Sequence, residues 1–368
     1  TSSRELKRGL FLMDLAKKTY IQGDIHQNET ETEIVEYRPG ERLIDEKNGK
    51  RQPWRQKKVE NLQYAEYLEI LKFKKASRVH DCAETLGFAI DQNGEKKLYQ
   101  VWFCKSRLCP MCQWRRSLKV TYELKQVLNT AIDEYPKAKF LFLTLTVKNC
   151  NGTELKSTLK KLTGSFHKLS KYKKVTKNLL GYVRSTEITV NETDGSYHPH
   201  IHVLLMVKST YFKGHDNYIT QNEWTELWKK AAKLDYTPVV NVKKIHDKKG
   251  KGALKSAALE VGKYQTKSKD YLNDDVDDET NLQHLKDLEE ALAGTRQYGY
   301  GGVLKEIASR LKLPDEDDLV HIENEDKAKT EKVKMILAFF DYGRYDYFYK
   351  SFNRGGMNGK SGGSFESG

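Results

Sequence analysis

Three stretches of the chain carry the apolar pattern of strands. Lys139–Val147 (KFLFLTLTV) is β-branched and aromatic, bounded by Pro136 and by Asn149-Cys150-Asn151-Gly152. Gly181–Val190 and His200–Val207 flank Asn191-Glu192-Thr193-Asp194-Gly195, a turn-forming run that predicts an antiparallel hairpin. Apolar residues recur at three- and four-residue steps over 114–132, 155–170, 221–233, 253–269 and 281–293, which predicts helices. Strands mixed with helices, with a hairpin among them, make an α+β fold with a central antiparallel sheet and flanking helices. The expected organisation is an N-terminal extension (1–45), a cysteine-rich region (46–134), an α+β core (135–272), an acidic and helical extension (273–330) and a C-terminal segment (331–368). Its Gly/Ser-rich end, from Gly355, reads as flexible, and the aromatic run Phe339–Phe352 fits either internal packing or a partner contact.

Composition and charge narrow the function. The 368 residues are 38% hydrophobic, enough to fill a core and to exclude wholesale disorder. The longest apolar stretch, Phe140–Val147, is far short of a membrane span. No charged-then-apolar leader opens the sequence, so the expected compartment is the cytoplasm. Sixty-four basic against 51 acidic residues give a net charge of +13, which makes a polyanion the expected partner. Residues 155–178 hold eight lysines and no acid, predicting an amphipathic helix with a lysine-rich outer face. Lys243, Lys244, Lys248, Lys249, Lys251 and Lys255 form a second basic stretch, whereas 270–279 and 315–326 are acidic and read as solvated loops.

Four of the five cysteines fall within 82–112: Cys82, Cys104, Cys109 and Cys112, the last two in Cys-Pro-Met-Cys. Such a turn directs two thiolates at one tetrahedral ion, and two further cysteines complete a structural Zn²⁺ site. His80 is an alternative to Cys82, and Cys150 stands alone. Lys105, Arg107, Arg115 and Arg116, with Trp102 and Trp114, predict a basic, aromatic surface suited to a phosphate backbone.

The sharpest chemistry lies in His198-Pro199-His200-Ile201-His202. Alternate side chains share a strand face, so His200 and His202 project together as a pair of metal ligands while Ile201 turns inward. Glu187, on the preceding strand, folds back beside them as a third ligand and leaves coordination positions open for a substrate. Downstream, Glu260 and Tyr264 stand one helical turn apart, with Lys263 and Lys267 beside them. Tyr264 is either a core aromatic or a nucleophile. A phenol with a free pKa near about 10 attacks only an electrophile already polarised, or when a cation favours the phenolate.

Three motifs in this order, FLTLTV (Phe142–Val147), HPHIHVLL (His198–Leu205) and EVGKYQTK (Glu260–Lys267), resemble those of rolling-circle plasmid replication initiators. These belong to the histidine-hydrophobe-histidine (HUH) endonuclease superfamily, and the likeness is to the single-tyrosine initiators of small Gram-positive plasmids. FCKSRLCPMCQWRRS (Phe103–Ser117) and YGYGGVLKEI (Tyr298–Ile307) extend the likeness over roughly 50–310. The resemblance implies an HUH endonuclease fold in which Glu187, His200 and His202 hold Mn²⁺ or Mg²⁺. It implies that Tyr264 forms a 5′-phosphotyrosyl link and frees a 3′-hydroxyl primer, with Lys263 and Lys267 stabilising charge. Glu260 then serves as general base for water at termination, and Tyr271 is a lesser second tyrosine candidate. The implied partners are origin DNA (a single-stranded hairpin loop and its flanking duplex), a host helicase and DNA polymerase, and a second copy in a homodimer. The alternatives are an HUH transposase or mobilisation relaxase, or a non-enzymatic zinc-containing DNA-binding regulator. Relaxases carry their tyrosines upstream of the histidines, whereas here Tyr264 follows them.

Overall fold

The computed structural model describes residues 40–47, 49–90, 96–214, 216–245, 258–259, 261–262, 266–313, 318–320, 322 and 334–350. The elements begin with a ribbon, β1 (Glu46–Lys47) and β2 (Lys50–Arg51), then α1 (Trp54–Ile70), α2 (Ala76–His80), β3 (Thr85–Ile90) and β4 (Lys96–Val101). They continue with α3 (Pro110–Glu134), β5 (Lys139–Thr146), α4 (Gly152–Leu169), α5 (Lys173–Thr176), β6 (Leu179–Val190) and β7 (Tyr197–Val207). After these come α6 (Gln221–Ala232), β8 (Val240–Lys244), α7 (Asp278–Leu292), β9 (Tyr298–Gly302), α8 (Val303–Arg310), β10 (Lys334–Asp341) and β11 (Asp346–Lys350).

The expected hairpin is β6–β7. Its loop is held by Asx turns: Asn191 Oδ1 accepts from Thr193 N at 3.0 Å, and Asp194 Oδ1 accepts from Ser196 N at 2.9 Å. That loop fixes a register in which Val190 faces Tyr197 and Glu187 faces His200. The hairpin lies inside a five-stranded antiparallel sheet of order β8-β5-β7-β6-β9, which puts the histidine strand at the centre. On one face Leu141, Leu143, Leu145, Ile201, Val203 and Leu205 pack under α4, through Leu162, Phe166 and Leu169, and under α6, through Trp224 and Trp228. On the other, Val183, Leu204 and Met206 pack under α3 and α8 through Leu124, Val127, Leu128, Leu304 and Ile307. His200 and His202 belong to this second face by alternation.

A second antiparallel sheet, β11-β10-β3-β4, joins strands from distant parts of the chain. The aromatic run near the C-terminus therefore serves internal packing. Phe340, Tyr347 and Tyr349 are buried in the same core as the cysteine loops. The molecule is thus α+β with antiparallel sheets and flanking helices, as its sequence led us to expect. No helix among the described residues is long and apolar enough to cross a membrane.

Several local expectations change. The helix expected over 155–170 is α4, which ends at Leu169, and the lysine-rich run beyond it enters a separate turn, α5. Of the helix expected over 253–269, residues 258, 259 and 261 are helical, but 266 and 267 are not, and Ser268–Asp270 form a separate 3₁₀ turn. There Asp270 Oδ2 accepts from Thr266 Oγ1 at 2.9 Å and from Lys267 N at 2.7 Å, a local alternative to helical hydrogen bonding. The acidic 270–279 run is only partly solvated. Asp270 is buried, and Asp277 caps α7 by accepting from Thr280 N at 2.8 Å. Residues 1–39, lysines 248, 249, 251 and 255, most of the 315–326 run and the tail from 355 lie outside the described residues.

Candidate active site and metal centres

The β6–β7 register brings the three expected ligands together. His202 Nε2 lies 3.0 Å, and His200 Nε2 3.3 Å, from Glu187 Oε2. One donor atom from each lies within 4.8 Å of the others. Burial pushes the Glu187 carboxyl up, but hydrogen bonds from both imidazoles outweigh it and hold the group well below the usual carboxylate range. Two nitrogens and an ionised oxygen, all on one side, form a donor set that could hold a divalent cation and leave positions open.

The imidazoles are also held from behind. Thr144 Oγ1, on β5, lies 3.2 Å from His202 Nδ1, and Phe142 stacks on the same ring at 5.5 Å. His200 Nδ1 meets the His198 carbonyl at 3.2 Å. Such outer contacts fix the ring and leave Nε2 as the ligand atom. Sequence reasoning missed Thr144, although a threonine inside an apolar strand, directly opposite His202 in register, was the available signal. His198 itself turns to Asn149 Oδ1 at 2.8 Å and stays outside the donor set.

Glu260, Lys263 and Tyr264 lie outside the described residues. Leu259, Val261 and Gly262 beside them do not. Ala258 and Val261 are buried in the core that covers the histidine face. Gly262 docks on α3: its carbonyl accepts from Ser117 Oγ at 2.9 Å, and a Cβ there would sit 2.7 Å from Thr121 Oγ1. Lys267 is exposed, just before the turn at Ser268–Asp270. Tyr271 is fully buried and donates to the Leu108 carbonyl, while burial pushes its phenol up. A nucleophile needs access to its substrate, so Tyr271 is a core residue.

β9 closes the edge of the sheet beside β6. In YGYGG, Tyr298 and Tyr300 pair with Ser185 and Val183 and so share the histidine face. Gly301 instead underlies the Tyr182 ring, which a Cβ would strike at 2.3 Å. The alternation of tyrosine and glycine thus follows from the two different faces of one strand.

The four cysteines also converge. Cys82 Sγ lies 3.5 Å from Cys112 Sγ and 3.7 Å from Cys109 Sγ, and Cys104 to Cys112 is 3.6 Å. A tetrahedral zinc with sulfur at about 2.3 Å requires sulfur–sulfur edges of about 3.8 Å, so the thiols fit that ion. His80 is not among them; it pairs with Asp81 and stacks on Tyr342. Cys82 and Cys104 are each followed by a non-glycine residue in the left-handed region, Ala83 (φ 53) and Lys105 (φ 59), two strained turns that aim the sulfurs inward. Burial raises the Cys82 and Cys112 thiols. Burial opposes ionisation of Cys109 as well, but hydrogen bonds from the other three hold it well below the ordinary thiol value. Buried Lys58 donates to the Cys82 carbonyl at 2.9 Å, and Asn61 Nδ2 to Cys109 Sγ at 3.3 Å.

The basic, aromatic surface expected beside the cysteines is largely internal. Arg115 is buried, donates to the Leu319 and Val320 carbonyls and stacks over Trp54 and Trp114. Arg116 donates to the Lys105 carbonyl, and Trp114 is buried, which leaves Trp102 and Lys105 exposed.

The fold and site define an α+β protein with, among the described residues, two separate metal-donor sets, one of four cysteines and one of two histidines and a carboxylate. A replication-protein family model matches residues 95–348, and the chain belongs to that family. A Lactiplantibacillus plantarum "Protein rep" is 54% identical over 309 residues, covering 82% of this chain and 96% of that protein. A Streptococcus pneumoniae "Protein rep" is 44% identical, covering 84% and 96%. A Staphylococcus aureus "Replication protein" is 43% identical over 237 residues, 63% of this chain and all of that protein. The resemblance to plasmid replication initiators read from the motifs is borne out. No solved structure matches the chain significantly.

Proposed function

We propose that the chain is the endonuclease that opens one strand of plasmid origin DNA to start rolling-circle replication, and that its five-stranded sheet is an HUH endonuclease core. The observation that carries this reading is the convergence of His200 and His202 Nε2 on the Glu187 carboxylate, at 3.3 and 3.0 Å, across the central hairpin. Mn²⁺ or Mg²⁺ held there supplies Lewis-acid polarisation of the scissile phosphate. Glu187, His200 and His202 bind and orient that phosphate's cation, while Thr144 and the His198 carbonyl keep the two rings turned. Tyr264 Oη attacks the phosphorus, the bond to the 3′-oxygen breaks, and that oxygen takes a proton to become the primer hydroxyl. Lys263 and Lys267 stabilise the phenolate and the charge on the phosphate. Glu260 takes the proton from water when the link is hydrolysed at termination. The burial of Ala258 and Val261 in the core over the histidine face supports this reading. Zn²⁺ on Cys82, Cys104, Cys109 and Cys112 ties the cysteine loops to α3, which spans that same face. Host helicase and polymerase act on the product, and a second copy of the chain joins it as a homodimer.

The test is cleavage of a single-stranded origin oligonucleotide with Mn²⁺ or Mg²⁺ supplied or chelated. Wild type yields a covalent protein–DNA adduct only with metal, and Tyr264→Phe yields none while still binding the DNA. Adducts formed by Tyr264→Phe would overturn the nucleophile. Cleavage unaffected by chelation would overturn the cation's role.

A further inference from the structure

The lysine-rich helix α4 does not present its charge to the histidine face. It covers the opposite face of the sheet through Leu162 and Phe166, beside α6. Along its outer side, α4 and the C-terminal end of α6 enclose a groove of about 400 Å³, lined by Lys160, Lys161, Gly164, Lys168 and Lys233 among others. All four lysines are exposed, and among the described residues none is in an ion pair, whereas Lys174 nearby is tied to Glu223. Among the described residues, the groove's lining has no acidic and no aromatic side chain.

Gly164 marks the floor. It sits inside an 18-residue helix, where glycine is the least favourable residue after proline. A Cβ there would meet nothing within 4 Å, so no packing contact requires the glycine. The bare helix backbone there leaves room for close approach of a partner. Lys233 repeats the sign. It occupies the left-handed C-cap of α6, with φ 53, a position that glycine fills more easily. A cation at a helix C-terminus is favoured in itself, but that local reason does not extend to Gly164.

We infer that this groove holds the phosphate backbone of double-stranded DNA, on the side of the sheet opposite the histidines. The inference rests on the DNA reading of the protein given above and adds where the duplex lies. Proteins that hold single strands combine basic grooves with aromatic platforms on which bases stack. Four lysines without a ring contact phosphates only, which suits the sequence-independent grip on a duplex. Lys161 and Lys168 stand two turns apart, about 10 Å along the helix axis. Edge strand β8 borders both faces and exposes Lys243 and Lys244, a basic path from the groove toward the histidine side.

The experiment uses the full chain, a 30-base-pair duplex of arbitrary sequence and a single-stranded 30-mer, with anisotropy read across a salt series. Replacing Lys160, Lys161, Lys168 and Lys233 together by alanine should weaken duplex binding tenfold or more. It should also flatten the slope of log affinity against log salt by about 3.6, or about 0.9 for each phosphate that is no longer neutralised. The four Lys→Arg changes should restore both, and Gly164→Leu should weaken duplex binding with the charge unchanged. Metal-dependent cleavage of the single-stranded origin oligonucleotide, followed in parallel, should stay at the wild-type rate. An unchanged duplex slope in the alanine variant would overturn the groove, and retained cleavage would show that the nuclease reading stands without it. Equal losses for duplex and single strand would overturn the assignment to duplex. Since each of the four alanines and Gly164→Leu is at the surface, an unchanged melting temperature will show that the fold survives.

Discussion

The two donor clusters differ in how many ligands they bring and in what surrounds them. At the cysteine cluster, four sulfurs with 0–2% exposure close on one point, and buried Lys58 and Asn61 fill the space behind. At the histidine strand there are three donors of mixed type, each 9% exposed, braced from behind by Thr144 and the His198 carbonyl. The first set can satisfy a tetrahedral ion alone, which is the donor set of a structural site. The second cannot complete a shell, so an ion held there would keep positions open to water or a substrate. The cysteine set is the more buried, but donor count is what separates their chemistry.

The comparison breaks most easily at the cysteines. Cys112→Ser should eliminate bound zinc and lower the melting temperature by about 10 °C or more, since a structural zinc contributes a large part of the folding free energy of its module. Thermal unfolding and metal analysis on the same sample check this, and an unchanged melting point would remove the structural role. His202→Ala should do the reverse. Cleavage of the single-stranded oligonucleotide should fall by about a thousandfold, because several kcal/mol of charge stabilisation disappear. Melting should stay within about 3 °C of wild type. A His202→Ala protein that unfolds with the cysteine variant would erase the distinction between the two sites.

Much of the second site was legible because it is local. A turn-forming loop between two strands sets the register, and once Val190 faces Tyr197 the pairing of Glu187 with His200 follows by counting. The cysteine set was legible for a different reason: few uses other than metal binding bring four thiols together in so short a segment. What escaped was set by partners far along the chain. The pairing of β3 with β10 joins residues about 85–90 to 334–339, and no periodicity in either segment announces the other. Helix α1 escaped because it is buried on several sides and carries buried Lys58 and Asn61, so it shows no single apolar stripe. Arg115 and Trp114 read as a DNA-facing pair, yet the Leu319 and Val320 carbonyls take the guanidinium inward. Tyr271, the lesser tyrosine candidate, lies past the point where Asp270 redirects the backbone out of the expected helix.

A milder change sharpens the open site. Thr144→Val removes the oxygen 3.2 Å from His202 Nδ1 while keeping the side-chain shape. Contacts that orient a ligand imidazole are typically worth about 10–100-fold in metal affinity. The metal concentration for half-maximal cleavage should therefore rise about tenfold or more, with little change in rate at saturating metal. Thr144→Ser should restore the wild-type response. A fall in rate that excess metal does not repair would mean that Thr144 acts elsewhere than through His202.

The smallest effect should come from the fifth cysteine, and it tests whether convergence or mere burial defines the closed site. Cys150 is as buried as Glu187, at 9% exposure, and burial raises its thiol pKa. Yet it sits at the end of the sheet, where its backbone N–H and C=O both pair with Tyr197 at 2.9 Å, and it is not part of the four-thiol group. Cys150→Ala keeps those backbone bonds and deletes one small, partly buried sulfur, at a cost of about 1 kcal/mol and a melting shift of about 2–4 °C. Zinc content should remain at the wild-type level. If instead it falls as in Cys112→Ser, the metal is not held by the four converging sulfurs alone, and the contrast between a closed and an open site loses its basis.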